Sequence, residues 1–557
     1  MKKITFTLFL IFSFLNIFSQ TETVSIQIDL NKPTGRMNPF WAWFGADEPN
    51  YAYMKDGQKL LTELAALSPV PVHFRAHNLM NTGDGTAALK WGSTNMYTED
   101  KNGNPVYNWT IVDKIFDTYL QLKMKPLAEI GFMPEAISPK PEPYKHEWAP
   151  GMPYNKIYTG WAYPPKDYKK WAEVIYQWVR HCVLKYGKAE VESWYWELWN
   201  EPDGGYLISD NKLKEYCKMY DYASDAVKRA MPSARIGGPH STGGASRFLK
   251  GFIQHCLKDT NSCTGKIGAP FDFLAFHAKG SPRVVNGIVQ MGIRSQIKNI
   301  NDNFEVIASF PETKNIPVII GESDPEGCAA CGMNTNPENA YRNGTMYSSY
   351  TAASIARIYD LTDDYGVNLK GAVNWSFEFE NQPWFYGFRD LATNGVDKPV
   401  LNVFRMLGMM KGNRVEVSGN MAYDFRSIRE GSVRGLKTDV SALASTDKNQ
   451  TAILVWNYHD DDIQDSGSPV ELRVKGIPAR QAFMTHYRID NDHSNSYQAW
   501  KKMGSPQNPT PDQIAALEKA GHLEKISKPE QLKINDGEVI IKFQLPRQGV
   551  SLIKLDY

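Results

Sequence analysis

The chain has 557 residues, more than a single hydrophobic core of roughly 250–300 residues organises, so at least two domains are expected. Its 62 basic and 61 acidic residues balance, which leaves no cationic footprint for nucleic acid or an anionic membrane surface. With 42% hydrophobic and 22% charged residues it is composed like an ordinary globular protein, and its 15 Trp and 28 Tyr supply many flat ring faces of the kind that stack on sugars.

The N-terminus reads as a targeting segment. Lys2 and Lys3 precede an apolar run from Ile4 to Phe18, too short to span a bilayer but suited to a signal peptide. Ile17 and Ser19 fit positions −3 and −1 of a cleavage before Gln20, so residues 1–19 are expected to be removed. No Cys lies near that site, which argues against lipid attachment, and no later stretch is long and apolar enough to cross a membrane. A secreted or periplasmic protein without membrane insertion is the expectation. Residues 20–34 follow, and the alternation of Glu22–Asp29 makes that segment available as a strand for a later β-module.

From residue 35 to 410 short β-rich runs alternate with amphipathic helical patterns. Eight strands are expected near Phe40–Ala46, Val72–His77, Lys125–Phe132, Trp194–Pro202, Arg235–Pro239, Phe271–His277, Val318–Ser323 and Gly371–Phe377. Several are continuous apolar runs, as strands buried on both faces should be. Asp167–Tyr186 and Lys212–Met231 show helical periodicity between them. Eight such repeats predict an α/β fold, a (β/α)8 TIM barrel. An open doubly wound sheet is the rival, but no Gly-rich phosphate loop follows the first strand. From 411 to 557 alternating strands with polar turns predict a C-terminal β-sandwich domain. An insertion at Asp490–Lys528 interrupts it and carries a short helix over Pro511–Gly521. Of six cysteines, the close pairs Cys256/Cys263 and Cys328/Cys331 are the candidate disulfides. Cys328-Ala-Ala-Cys331 also has the spacing of a redox pair or half a zinc site, but no second Cys or His pair matches it.

Catalytic groups of barrel enzymes sit at the C-terminal ends of the strands. Strand four ends Trp196-Glu197-Leu198-Trp199-Asn200-Glu201-Pro202, and strand seven ends Ile320-Gly321-Glu322-Ser323-Asp324. Hydrolysis of a glycosidic bond with retention needs one carboxylic acid to protonate the leaving oxygen and one carboxylate to attack the anomeric carbon, roughly 5–5.5 Å apart. Strands four and seven face each other across a barrel mouth. Glu201 is therefore assigned as acid/base and Glu322 as nucleophile, with Asp324 and Glu326 as fallback nucleophiles. Glu197 sits deeper, where a salt bridge is its expected job. Asn200 is placed to hydrogen-bond a sugar 2-hydroxyl. Arg75 and His77 on strand two, His240 after strand five, His277 on strand six and Trp375 on strand eight are expected to line the same sugar subsite, Trp375 as its platform. These histidines come from separate strands without a short His-x-His or His-x-x-x-His pair, so no metal is expected. Glu378 and Glu380, past strand eight, fit either substrate binding or a solvated surface.

At these residues the sequence resembles glycoside hydrolase family 39, the β-xylosidase and α-L-iduronidase family of the Asn-Glu-Pro barrel clan. The resemblance is carried by Phe74-Arg75-Ala76-His77, by Met124–Ala136, by Trp196–Pro202 and by Gly395-Val396-Asp397-Lys398-Pro399. Outside the barrel, Val455–Asp461, His486–Asp490, His493-Ser494-Asn495 and Met503–Gln507 look like the xylosidase branch. The resemblance implies Glu201 and Glu322 as the catalytic pair, with Asn200, His277 and Arg75 around the −1 sugar. One departure stands out: the family's nucleophile segment usually reads Thr-Glu before an aromatic residue or Asn, whereas this chain has Gly321-Glu322-Ser323-Asp324 and then a Cys pair.

The expectation is a retaining exo-β-xylosidase acting without a cofactor on oligosaccharides from plant or algal cell walls. An exo-glycosidase for another pentose or a uronic acid is the same-class rival, and extra Arg or Lys at the −1 site would favour the acid sugar. A non-catalytic carbohydrate-binding barrel is the rival of another class. The sequence carries no signal for oligomeric state.

Overall fold

Continuous apolar runs such as Phe273-Leu274-Ala275-Phe276 and Val318-Ile319-Ile320 have no polar face to turn to water, so they pair as fully buried parallel strands. In the computed structural model, which describes residues 23–375, 377–463 and 467–557, eight of these runs close into a barrel. The expected signal peptide, residues 1–19, lies outside the described residues. In chain order the staves are Trp43–Ala46, His73–Ala76, Lys125–Ile130, Tyr195–Leu198, Arg235–Ser241, Phe273–Lys279, Val318–Asp324 and Leu369–Asn374. Each pairs in parallel with its sequence neighbour, and the eighth returns to the first through Val373↔Trp43 and Asn374↔Phe44.

The barrel interior is filled rather than hollow. Trp43, Leu127, Tyr195, Phe273, Ala275, Ile319, Val373 and Trp375 pack against one another inside it. Helices cover the outside. The helix Tyr168–Tyr186 shows how the sequence sets one: Asp167 caps it by accepting from the Lys169 and Lys170 amides at 2.9 and 3.0 Å. Trp171, Val174, Ile175 and Trp178 form its buried stripe, and Gly187, at φ 87°, ends it.

The second module is the expected C-terminal β-domain, and its ten strands belong to one mixed sheet. Nine follow a single hydrogen-bonded path, and the tenth, Glu530–Lys533, pairs beside it with Gln481–Ile489. What joins the path is the N-terminal strand Val24–Arg36. It pairs antiparallel with Asn413–Gly419 on one side and parallel with Ser468–Lys475 on the other, so it stitches two groups of strands together. Val24, Ile26 and Ile28 point into a core shared with Val455, Leu472, Ile541 and Ile553. Barrel and sheet meet through the helix Thr345–Tyr365. Its Arg357 pairs with Asp439 at 2.8 Å, and Ser349 donates to Gln548 at 2.5 Å. The inserted helix Pro511–Gly521 begins with a capping box of Thr510 and Gln513. Leu517 on that helix and the nearby Trp500 pack with Trp384 and Phe385 of the loop after the eighth stave.

Of the two candidate disulfides, only Cys328–Cys331 is bridged. Cys256 and Cys263 are free. Cys256 lies on the buried side of the helix Ser246–Lys258, while Cys263 sits half-buried in the following loop with Asp225 as its side-chain neighbour, so the two thiols face different surroundings.

Candidate active site

Two staves interrupt their regular pairing just where their side chains reach the C-terminal mouth. On stave seven the register slips between Ile320 and Glu322, leaving Gly321 as a bulge. On stave five it slips between Pro239 and Ser241, at His240. Bulges re-aim the residues beside them. Here the result is that Glu322, Glu201 and His277 converge. His277 Nδ1 lies 2.9 Å from Glu201 Oε1 and 3.7 Å from Glu322 Oε1. Those two distances cap the separation of the carboxylate oxygens at their sum, about 6.6 Å. That bound admits the roughly 5–5.5 Å of retaining glycosidases.

Glu201 follows stave four in a tight turn. Trp199 has φ 62° and Glu201 φ 39°, and the Glu201 amide donates to the His240 carbonyl at 3.0 Å. The side chain is 23% exposed and looks into a cavity of about 290 Å3. Asn200, Glu322, Trp375, Asp47, Tyr154, Tyr206 and the Cys328–Cys331 turn line the same cavity.

The electrostatics of the two carboxyls diverge. Burial, with the Glu322 charge second, pushes Glu201 up to about 7. Burial alone would raise Glu322 as well, but cations outweigh it and hold that carboxyl well below the usual range. Lys279 Nζ is 2.6 Å from its Oε2, Arg389 donates to the same oxygen at 3.1 Å, and Arg75 donates to Oε1 at 3.2 Å. One group is thus biased to carry a proton near neutrality and its neighbour to stay ionised.

Beneath the cavity lies a layer of buried ion pairs. Arg75 is fully enclosed and uses its whole fork: it donates to Glu197 at 2.7 Å, to Asn200 at 3.0 Å and to Glu322. Its guanidinium also sits 4.7 Å from the Trp375 ring centre. Glu197 holds His240 Nε2 at 2.5 Å on its other oxygen, so its expected place in an internal salt bridge is what the barrel shows. His77 bridges Asp47 at 2.9 Å and Glu129 at 3.0 Å. Burial first, then repulsion from Glu197, pushes Glu129 far up, toward the neutral acid. His77, Glu129 and Glu197 bring three ligand atoms within 4.8 Å of one another. Arg75 and His240 already engage the Glu197 carboxylate of that group.

The members of the sequence-based subsite fall in two layers. Of its six members, Asn200 and Trp375 line the cavity. Arg75, His77, His240 and His277 are fully buried behind it. Arg75 spends its donors on Glu197, Asn200 and Glu322, while the rings of His77 and His240 lie against the carboxyls of Asp47, Glu129 and Glu197. Burial leads in lowering His277 far below and His240 to about 4, which keeps both rings neutral. Asp324 is buried and does not line the cavity, its oxygens held by Lys279, Arg389 and the Trp375 amide at 2.5–3.2 Å. Glu326 pairs with Arg342. Glu378 is buried and accepts from the Gly395 amide at 2.6 Å, and Glu380 accepts from the Asp56 amide at 2.9 Å. Neither lines the cavity.

Several residues here were not anticipated from sequence: Lys279, Arg389, Asp47, Tyr154 and Tyr206. Lys279 carried a usable signal, because it stands two residues after His277 on the same strand face.

Comparison with known proteins identifies the family. The profile of "Glycosyl hydrolases family 39" matches residues 24–537. The chain is 25% identical over 540 residues to a β-xylosidase of Caldicellulosiruptor saccharolyticus, covering 95% of this chain and 98% of that one. It is 22% identical over 530 residues to the α-L-iduronidase of Mus musculus, covering 88% and 75%. Among solved structures, a monomeric β-xylosidase from Caulobacter crescentus superposes with a TM-score of 0.74 at 21% identity, over 96% of this chain and 99% of that chain.

Proposed function

Because the chain belongs to glycosyl hydrolases family 39, and is a glycosidase by that membership, we propose that it is a retaining exo-β-xylosidase acting on cell-wall oligosaccharides. The observation that carries the retaining mechanism is the pair Glu201 and Glu322, biased to opposite protonation states around one histidine. Glu201 gives its proton to the glycosidic oxygen as that bond to the anomeric carbon breaks. Glu322 attacks the same carbon and forms a glycosyl ester. Water then attacks the anomeric carbon, Glu201 takes the water's proton, and Glu322 leaves as carboxylate as the bond from that carbon to its oxygen breaks. Neither step calls for a cofactor. The xylose assignment is supported by the relatives that match along most of their length. The Cys328–Cys331 bridge supports an oxidising compartment, in keeping with export.

A sugar bearing a carboxylate is the second reading, and one observation favours it. Lys279 and Arg389 place two cations at the Glu322 end of the site, and the Lys279 side chain keeps 16% exposure. The deciding experiment is hydrolysis of an aryl β-xyloside followed by proton NMR of the first-formed anomer, beside an aryl uronide. Release of the β-anomer of xylose supports the proposal. The α-anomer as first product overturns retention, and cleavage of the uronide alone transfers the assignment to the acid sugar.

A further inference from the structure

Asp47 follows the first barrel stave and takes no part in the bond-breaking steps above, yet it lines the cavity. Only 4% of it is exposed. Its Oδ1 lies 2.9 Å from His77 Nδ1 and accepts from the Trp375 indole N–H at 3.2 Å. Its Oδ2 pairs with the Lys90 ammonium. A carboxylate offers about four acceptor positions; among the described residues the Trp375 indole and the Lys90 ammonium donate to one on each oxygen and His77 lies against Oδ1, so one on Oδ2 stays open. Lys90 is itself 6% exposed and lies 5.5 Å from the centre of the Tyr154 ring. An ammonium has three N–H donors, and the pairing with Asp47 uses one. Tyr154 and Tyr206 line the same side, their hydroxyls 3.0 Å apart.

An acceptor with an open position in a buried wall, held ionised by a cation behind it, complements a hydroxyl group that gives it a hydrogen bond. A site built this way penalises a ligand that lacks the hydroxyl, because its buried polar groups then go unpaired. We propose that Asp47, backed by Lys90, is a specificity residue that binds a ring hydroxyl at the non-reducing end of the terminal sugar and so ends the cavity one residue from the cleaved bond. The assignment rests on the glycosidase reading. Asp47 selects the sugar and fixes the Trp375 platform, while Glu201 and Glu322 do the chemistry.

The test uses the whole protein and the aryl glycoside it cleaves fastest, compared with the 3-deoxy and 4-deoxy forms of that glycoside. One deoxy substrate is expected to lose about 100-fold or more in kcat/KM with the wild-type enzyme. In Asp47→Asn the ratio between parent and that deoxy compound is expected to shrink to within about tenfold. If the wild type treats all three alike, or if Asp47→Asn slows parent and deoxy substrates by the same factor, the proposal is overturned. The wild-type comparison stands even if the variant folds poorly. Quenching of tryptophan fluorescence by the free sugar and its deoxy forms separates the two claims. Binding that discriminates the deoxy sugars in a protein that hydrolyses nothing sinks the proposed activity and keeps the role of Asp47. Indifferent binding with intact hydrolysis does the reverse.

Discussion

At the residue scale the decisive contrast is between two carboxyls that contact one histidine. Glu201 must be protonated to act as acid, so kcat/KM is expected to fall as pH rises through about 7. Glu322 must be ionised, and its depressed value sets the acidic limb well below the usual carboxylate range. A pH–rate profile flat through 7 and 8 would contradict the first statement. Because the Glu322 charge is part of what raises Glu201, Glu322→Gln should lower the titration midpoint of Glu201, readable from its carboxyl carbon shift. Glu201→Gln should cost about 10²–10⁴-fold in kcat/KM on substrates with poor leaving groups, and far less in kcat/KM on nitrophenyl glycosides, whose leaving group departs without a proton. Equal losses on both would remove Glu201 from the acid role. Both carboxyls were visible in the sequence because a strand end with Asn-Glu-Pro, and an apolar strand ending in Glu, are local patterns. Arg389 was not, because it sits in a loop past the eighth stave and acquires meaning only through its contacts with Glu322 and Asp324.

At the scale of elements, the staves were legible from apolar continuity, since a strand covered on both faces shows it in its own residues. The bulges were not, because a register slip depends on what the neighbouring strand offers. Gly321 shows why it matters. A Cβ there would stand 2.1 Å from His240 Nδ1 and 3.2 Å from His277 Cδ2, so either the strand or both rings must move. Gly321→Ala is therefore expected to lower kcat by about 100-fold through displacement of Glu322, together with a fall in the unfolding temperature. Steady-state kinetics beside thermal unfolding checks this, and wild-type values in both would show that the bulge does not set the nucleophile's aim. The same limit applies to the histidines. Sequence places them at strand ends, but whether a strand-end ring faces the cavity or the layer beneath it is decided by partners such as Glu197 and Asp47.

For the whole molecule, the sequence divided the chain into barrel and β-module, while the single mixed sheet emerged only from long-range pairing. The N-terminal strand is the clearest case. Its alternating pattern identified a strand, but nothing local names partners nearly four hundred residues away, as in the Ser25 amide bonded to Asn420 across a separation of 395 residues. Val24, Ile26 and Ile28 are each at most 1% exposed, and burying such a side chain is worth about 1.5–3 kcal/mol. Together that rivals the about 5–15 kcal/mol that holds a typical domain. Deleting residues 23–36 should therefore melt the second module at a lower temperature than the barrel, seen as two calorimetric transitions. A single transition at the wild-type temperature would show that the strand is dispensable.

That strand also sets an order of events during synthesis. It is the first of the described elements to be made, yet both of its neighbours, Asn413–Gly419 and Ser468–Lys475, leave the ribosome only after every stave of the barrel. For most of translation its apolar side chains have nowhere to go, and a bare strand edge invites foreign partners. The opening residues of the folded protein must therefore be among the last to find their place.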